Sequence, residues 1–276
     1  MRLLTILLLT MAILGCQNDR GQARQNIRKM EQAMADTSRQ EALNEAYLSY
    51  VEQYPDDTLH ASRYLGKAAA LAYANLQYSS AISLLYRALR DYYSAPASAG
   101  NLRILHQLYT EKVQVPFLTN TLVQAARRNF PETAMAWSIP DDLPALEERL
   151  NERRTTVYKE AAQGINYQSA NEFITAAELY ALLLPQEEQA AEYLFNAAEI
   201  ARGLGVYRRS LGLLNWIGTR YPQSERAPQA SFLKAFTLDE QLKDTTAARE
   251  AYQHFIERYP QDDFADDARI LLEALE

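Results

Sequence analysis

A beat of 38 residues limits this chain to folds built from repeated units. Leu204-Gly205-Val206-Tyr207, then Ser210, Leu214, Ile217 and Tyr221-Pro222, recur one beat later. The second copy reads Leu242-Lys243-Asp244-Thr245, then Ala248, Tyr252, Phe255 and Tyr259-Pro260. Pro222 and Pro260 lie 38 residues apart, Pro185 precedes Pro222 by 37, and Pro55 precedes Pro131 by 76, two beats. A period of this length, written in small and aromatic residues at helical spacing, predicts stacked helical hairpins.

Each recurring residue type has a packing reason. Ser210 and Ala248 are small where two helices would cross closely, and Leu214 and Tyr252, four residues on, fill the groove on the same face. A proline after an aromatic cannot continue a helix and pushes the preceding residue out of helical geometry, so Tyr221-Pro222 and Tyr259-Pro260 are stops. Ser224 and Asp263 then stand where they can cap the next helix.

These residues resemble the tetratricopeptide repeat. Leu194, Ala197, Ala198 and Ala201 occupy the family's first-helix positions, with Leu194 and Ala198 matching in size. Phe232 and Ala235 fit in the last repeat, whereas Phe236 and Asp239 depart. The family's glycine position holds Gly205 once and Lys243 once. The resemblance implies an all-α, right-handed α-solenoid of about six helical hairpins with a C-terminal capping helix. It also implies a concave surface, lined by first helices, that binds protein or peptide partners. Carrying over the family's groove positions gives Arg63 and Tyr73 in one repeat and Glu192, Phe195, Glu199 and Arg202 in another.

Residues 1–15 read as a leader. Leu3 to Leu14 is apolar except for Thr5 and Thr10. As a helix its twelve residues span roughly 18 Å against about 30 Å of bilayer hydrocarbon, which suits a secretory h-region better than a span. Ile13-Leu14-Gly15-Cys16 resembles the bacterial lipobox, which implies cleavage before Cys16 and its lipidation with palmitate-type chains. An ordinary signal peptide with a chance cysteine is the other reading. Three acyl chains, at about 0.8 kcal/mol per buried methylene, would hold the protein on a membrane. Gln17 rather than aspartate after the cysteine leans, by the same resemblance, to the outer membrane facing the periplasm. Cys16 is the only cysteine, so the mature chain has no disulfide and packing must hold it. A hydrophobic content of 48% suffices for that.

Residues 16–25 read as a short polar tether and 26–276 as the solenoid. Asn26 to Tyr54 carries two apolar stripes: Ile27, Met30, Ala33 and Met34, then Ala42, Leu43, Ala46, Tyr47, Tyr50 and Val51. Tyr64 to Ala72 and Tyr78 to Leu89 make a hairpin closing at Tyr92-Tyr93, with a linker from Ala95 to Gly100. The segment 101–150 is divergent. It predicts helices around Leu102–Tyr109 and Phe117–Phe130, then a stretch broken by Pro140 and Pro144 with an exposed Trp137. That stretch is a worn repeat or a binding loop. Leu146–Ile165 and Ala170–Leu184 form another pair, and Phe264, Ala268, Leu271, Leu272 and Leu275 a final helix with an acidic outer face.

No catalytic constellation is apparent. His60, His106 and His254 fall in different repeats, and there is no HExxH or phosphate-cradling glycine loop. Carboxylate pairs such as Asp56-Asp57, Glu147-Glu148, Asp262-Asp263 and Asp266-Asp267 sit at turns and helix starts, where they suit the helix dipole. The expectation is a non-enzyme with no cofactor and no metal. A net charge of −7 argues against nucleic acid. The best basic cluster, Arg149, Arg153 and Arg154, reads as a solvated helix face.

Register over most of the mature chain resembles BamD-like outer-membrane assembly lipoproteins and Tol-Pal-associated periplasmic repeat proteins. That implies an envelope scaffold in outer-membrane protein assembly or envelope organisation. An adaptor recruiting peptidoglycan or polysaccharide enzymes, and an enzyme with a site in 101–150, remain the alternatives.

Overall fold

The computed structural model describes residues 19–33, 37–158 and 164–275. The leader, the lipobox with Cys16, and Met34 lie outside them. Among the described residues there are helices and turns and no strand. The chain divides after Gln114 into two units of packed helices, 1–114 and 115–276.

The first unit contains α1 (residues 19–32), α2 (Thr37–Gln53), α3 (Thr58–Ala74), α4 (Tyr78–Asp91) and α5 (Ser98–Leu108). A π-helical turn, Tyr109–Val113, extends α5. Each helix packs on the next from α2 to α5, and α5 also touches α3. α1 is pinned to its neighbours by Glu31, which accepts from Tyr47 Oη at 2.8 Å and Lys67 Nζ at 2.7 Å. Residues 19–25, expected in the tether, are helical and continuous with 26–32. The linker expected to run to Gly100 ends earlier, because α5 begins at Ser98. Ala42 is exposed rather than part of the buried stripe.

The second unit contains α6 (Pro116–Asn129), α7 (Pro131–Ala134), α8 (Leu146–Tyr158), α9 (Tyr167–Leu183), α10 (Gln189–Gly203), α11 (Tyr207–Arg220), α12 (Arg226–Phe236), α13 (Thr245–Arg258) and α14 (Ala265–Ala274). A second π-helical turn, Thr237–Gln241, extends α12. From α8 to α14 each helix packs on its successor, and α10 touches α12. The pair expected over Leu146–Ile165 and Ala170–Leu184 is shorter in its first helix: α8 is described to Tyr158, and Gly164 to Asn166 are not helical. α9 is buried nearly all round because α6, α8 and α10 all pack on it.

The beat has a backbone form. At Tyr92, Phe130, Leu184, Tyr221 and Tyr259 the helix stops at φ between −125° and −130° and ψ between 39° and 55°. In each case the stop residue's N–H still donates to the carbonyl four residues back, as Tyr54 does to Tyr50. The exit turn is also shared. Asp57, Ala95, Glu187, Ser224 and Asp262 donate from N–H to the carbonyl of the stop three residues earlier. Their own carbonyls accept from His60, Ser98, Ala190, Ala227 and Ala265. The capping expected of Ser224 and Asp263 is not made: α12 and α14 have no side-chain cap, whereas Asp57, at the equivalent turn, caps α3 by accepting from the His60 N–H.

Eleven, seven and four residues before the stop, five second helices bury the same three positions: Leu43, Tyr47 and Tyr50; Ala81, Leu85 and Ala88; Phe173, Ala177 and Tyr180; Ser210, Leu214 and Ile217; Ala248, Tyr252 and Phe255. This bears out the crossing positions of Ser210 and Ala248. In α6 the first of them, Thr119, is only half-buried, beside buried Val123 and Ala126. Small residues also bring first helices together: a Cβ on Gly66 of α3 would lie 2.0 Å from Asn101 Oδ1 of α5. Asn101 Nδ2 donates to the Ser62 carbonyl at 3.2 Å, so this contact needs glycine.

Residues 135–145, between α7 and α8, interrupt the beat. Arg127 Nη2 donates to the Trp137 carbonyl at 2.5 Å, and Gln124 Nε2 to the Pro144 carbonyl at 2.8 Å. The segment is thus fastened to α6, and Trp137 is half-buried rather than exposed. The basic cluster is not a solvated face either. Arg149 is 6% exposed, bonded to Gln124 Oε1 and the Phe117 carbonyl, and its burial lowers its pKa. Arg153 stacks 4.4 Å from the Phe117 ring centroid and pairs with Glu172 at 3.3 Å.

Candidate functional site

Each unit holds its own share of the expected groove residues. In the first, Arg63 is exposed and Tyr73 half-buried on α3. Ten residues of helix separate them by roughly 15 Å, so they do not meet. Tyr73 is the centre of a small polar cluster. Its hydroxyl donates to Glu111 Oε2 at 2.7 Å and accepts from Gln107 Nε2 at 3.4 Å, and Lys112 Nζ lies 5.9 Å from its ring centroid. The Tyr73–Glu111 hydrogen bond raises the tyrosine's pKa and lowers the glutamate's.

In the second unit the groove positions join a continuous strip across α8, α10 and α12. Arg226 of α12 grips Glu192 of α10 with two bonds, Nε to Oε2 at 2.5 Å and Nη2 to Oε1 at 3.0 Å. That bidentate contact draws the Glu192 carboxyl below its ordinary range and raises Arg226. The Arg226 guanidinium also lies 4.9 Å above the Phe195 ring, a cation–π contact that leaves Phe195 only 8% exposed. Asn196 continues the chain: its Nδ2 donates to Glu192 Oε1 at 2.9 Å, and its Oδ1 accepts from Arg154 Nη1 of α8 at 3.2 Å. Glu199, one turn further along α10, is exposed. Arg202 is half-buried beyond it, its Nε without a hydrogen-bond partner among the described residues.

Of the expected groove positions the strip holds Glu192 and Phe195, with Glu199 and Arg202 further along the same helix, and it adds Arg154, Asn196 and Arg226. Sequence reasoning missed the added three. Asn196 was adjacent to a predicted position, but the two arginines reach from neighbouring helices, a relation that periodicity along one helix does not encode.

An open groove of about 900 Å³ adjoins the strip between the turns at 185–192 and 220–229, with Glu192, Arg226 and Gln229 in its wall. The three histidines lie on three helices, α3, α5 and α13. Among the described residues no group of three or more His, Cys, Asp or Glu is placed to hold a metal ion, and no helix is long and apolar enough to cross a membrane.

No family model matches the chain, and no curated protein matches it. Among solved structures it is similar to the TPR2AB-domain:pHSP90-complex of yeast Sti1, with 16% identity over 94% of this chain and 97% of that one. The TM-score is 0.31. So loose a superposition carries no weight, and the fold rests on the shared stops, turns and buried positions.

Proposed function

We propose that this chain is a lipid-anchored scaffold of the cell envelope. It holds protein or peptide partners on its first-helix surface and serves outer-membrane protein assembly or envelope organisation. The observation that carries the binding reading is the strip from Arg154 through Asn196, Glu192 and Phe195 to Arg226. It presents fixed charged and amide groups across three consecutive first helices. Such a surface recognises a chain laid across it, where preset polar groups reduce the ordering cost of binding.

The anchor and the periplasmic face of the outer membrane rest on Ile13-Leu14-Gly15-Cys16 and Gln17. The net charge of −7 leaves nucleic acid out of this reading. Affinity capture from detergent-solubilised envelope tests the whole of it. β-Barrel assembly components are expected to co-elute, and Arg226→Ala, with helicity unchanged, to reduce their recovery about fivefold. Co-elution of wall enzymes instead, or recovery indifferent to Arg226→Ala, would overturn it. Cys16→Ser is expected to abolish labelling by a palmitate analogue.

A further inference from the structure

Most charged groups along the strip are occupied by one another. Arg226 is closed on Glu192, and Arg154 and Glu192 divide the two ends of the Asn196 amide. One turn along α10 that closure stops. Arg154, Thr155 and Tyr158 of α8 face Asn196, Glu199 and Ile200 of α10 around an open pocket of about 300 Å³.

Two walls of that pocket are uncommitted. The Glu199 carboxylate is exposed and makes no ion pair or hydrogen bond among the described residues. Tyr158 is 52% exposed, a large fraction for an aromatic side chain. Tyr158 of α8 and Glu199 of α10 line the pocket together, and desolvation, helped by the Glu199 charge, raises the tyrosine's pKa. Ile200, itself buried, supplies an apolar floor.

This combination selects among ligands. An anion would meet Glu199 directly, and the one cation in the wall, Arg154, already donates to Asn196 and lies in the field of Glu192. An apolar group would leave Glu199 beside it without a partner. A planar cation on an apolar stem satisfies the three walls that Arg154, held by Asn196 and Glu192, does not form: guanidinium against the Glu199 carboxylate, its face on the Tyr158 ring, its methylenes over Ile200. We propose that this pocket receives an arginine side chain of the bound partner segment. The proposal rests on the strip being a partner surface and assigns the charge such a segment carries at this point.

The probe is N-acetyl-arginine amide, titrated into the full chain carrying a labelled Ile200 methyl. N-acetyl-norleucine amide and N-acetyl-glutamate amide serve as controls. A saturable shift of the Ile200 resonance is expected with the arginine probe alone, weakened about fivefold or more in Glu199→Gln. The Tyr158→Leu variant is expected to weaken it as well, and Arg103→Gln, exposed on α5 in the other unit, to leave it unchanged. Equal response to norleucine amide, no saturable shift, or full response in Glu199→Gln would overturn the proposal. Failure of the unmodified chain to capture any envelope partner, with its arginine response intact, would sink the scaffold reading and leave the pocket. Partner capture indifferent to Glu199→Gln would sink the pocket's role and leave the scaffold.

Discussion

Among the described residues Leu76, Gln114, Gly164, Gly205 and Lys243 hold φ of 60°, 53°, 95°, 74° and 54° between a first and a second helix, and glycine stands at only two of these places. Leu76 and Gly205 close their helices in the same way: Gln77 and Val206 donate to carbonyls five residues back, and Leu76 and Gly205 to carbonyls three back. A left-handed residue with a Cβ costs about 1–2 kcal/mol. Leu76 is 72% exposed and Lys243 is exposed, so neither side chain recovers that cost by packing. Leu76→Gly and Lys243→Gly are each expected to stabilise by about 1 kcal/mol, read as a higher urea midpoint at unchanged slope. A lower midpoint would mean the turn does not require the left-handed region. The glycine position was thus half legible in sequence: Gly205 pointed to it, Lys243 was matched only through the second copy, and nothing local marked Leu76.

Among elements, the second helices were legible and the insertions were not. Ser210 or Ala248 followed by a large residue four positions on identifies a helix face directly, and the Tyr-Pro stop closes it. The stop at Tyr92 shares the geometry of the others with tyrosine, not proline, after it, so the backbone turn and not the proline defines the beat. The departures at Phe236 and Asp239 have a local cause, since the π-helical turn at Thr237–Gln241 shifts the helix face there. Beyond the interruption at 135–145, α6, α8 and α9 are tied through Glu147. It accepts from Arg128 Nη1 at 2.5 Å and Nη2 at 2.8 Å, and from Tyr180 Oη at 3.0 Å. The Arg128 bonds, helped by Tyr180 and opposed by partial burial, draw the Glu147 carboxyl down to about 2. A depressed carboxylate stabilises above its unfolded pKa and loses that contribution as pH falls through the folded one. Glu147→Gln is therefore expected to cost about 1–2 kcal/mol at neutral pH, allowing for solvent screening. That gap from wild type should close between pH 4.5 and about 2. A gap that stays constant down to pH 2 would remove Glu147 as the tie.

At the scale of the whole molecule, a repeating backbone lets the same helix face be offered again and again, and the side chains on that face decide what it does. Within the second unit that face is the Arg154–Asn196–Glu192–Arg226 strip, and it exists only if successive first helices lie side by side. Glu192 and Arg226 stand 34 residues apart and belong to α10 and α12, so their coupling reports that neighbourhood directly. The decisive measurement is a charge-reversal cycle on this pair, read by urea unfolding. Glu192→Arg and Arg226→Glu are each expected to lose about 1 kcal/mol, and the double reversal to regain most of it. Single losses that simply add in the double variant would contradict helices stacked one repeat apart.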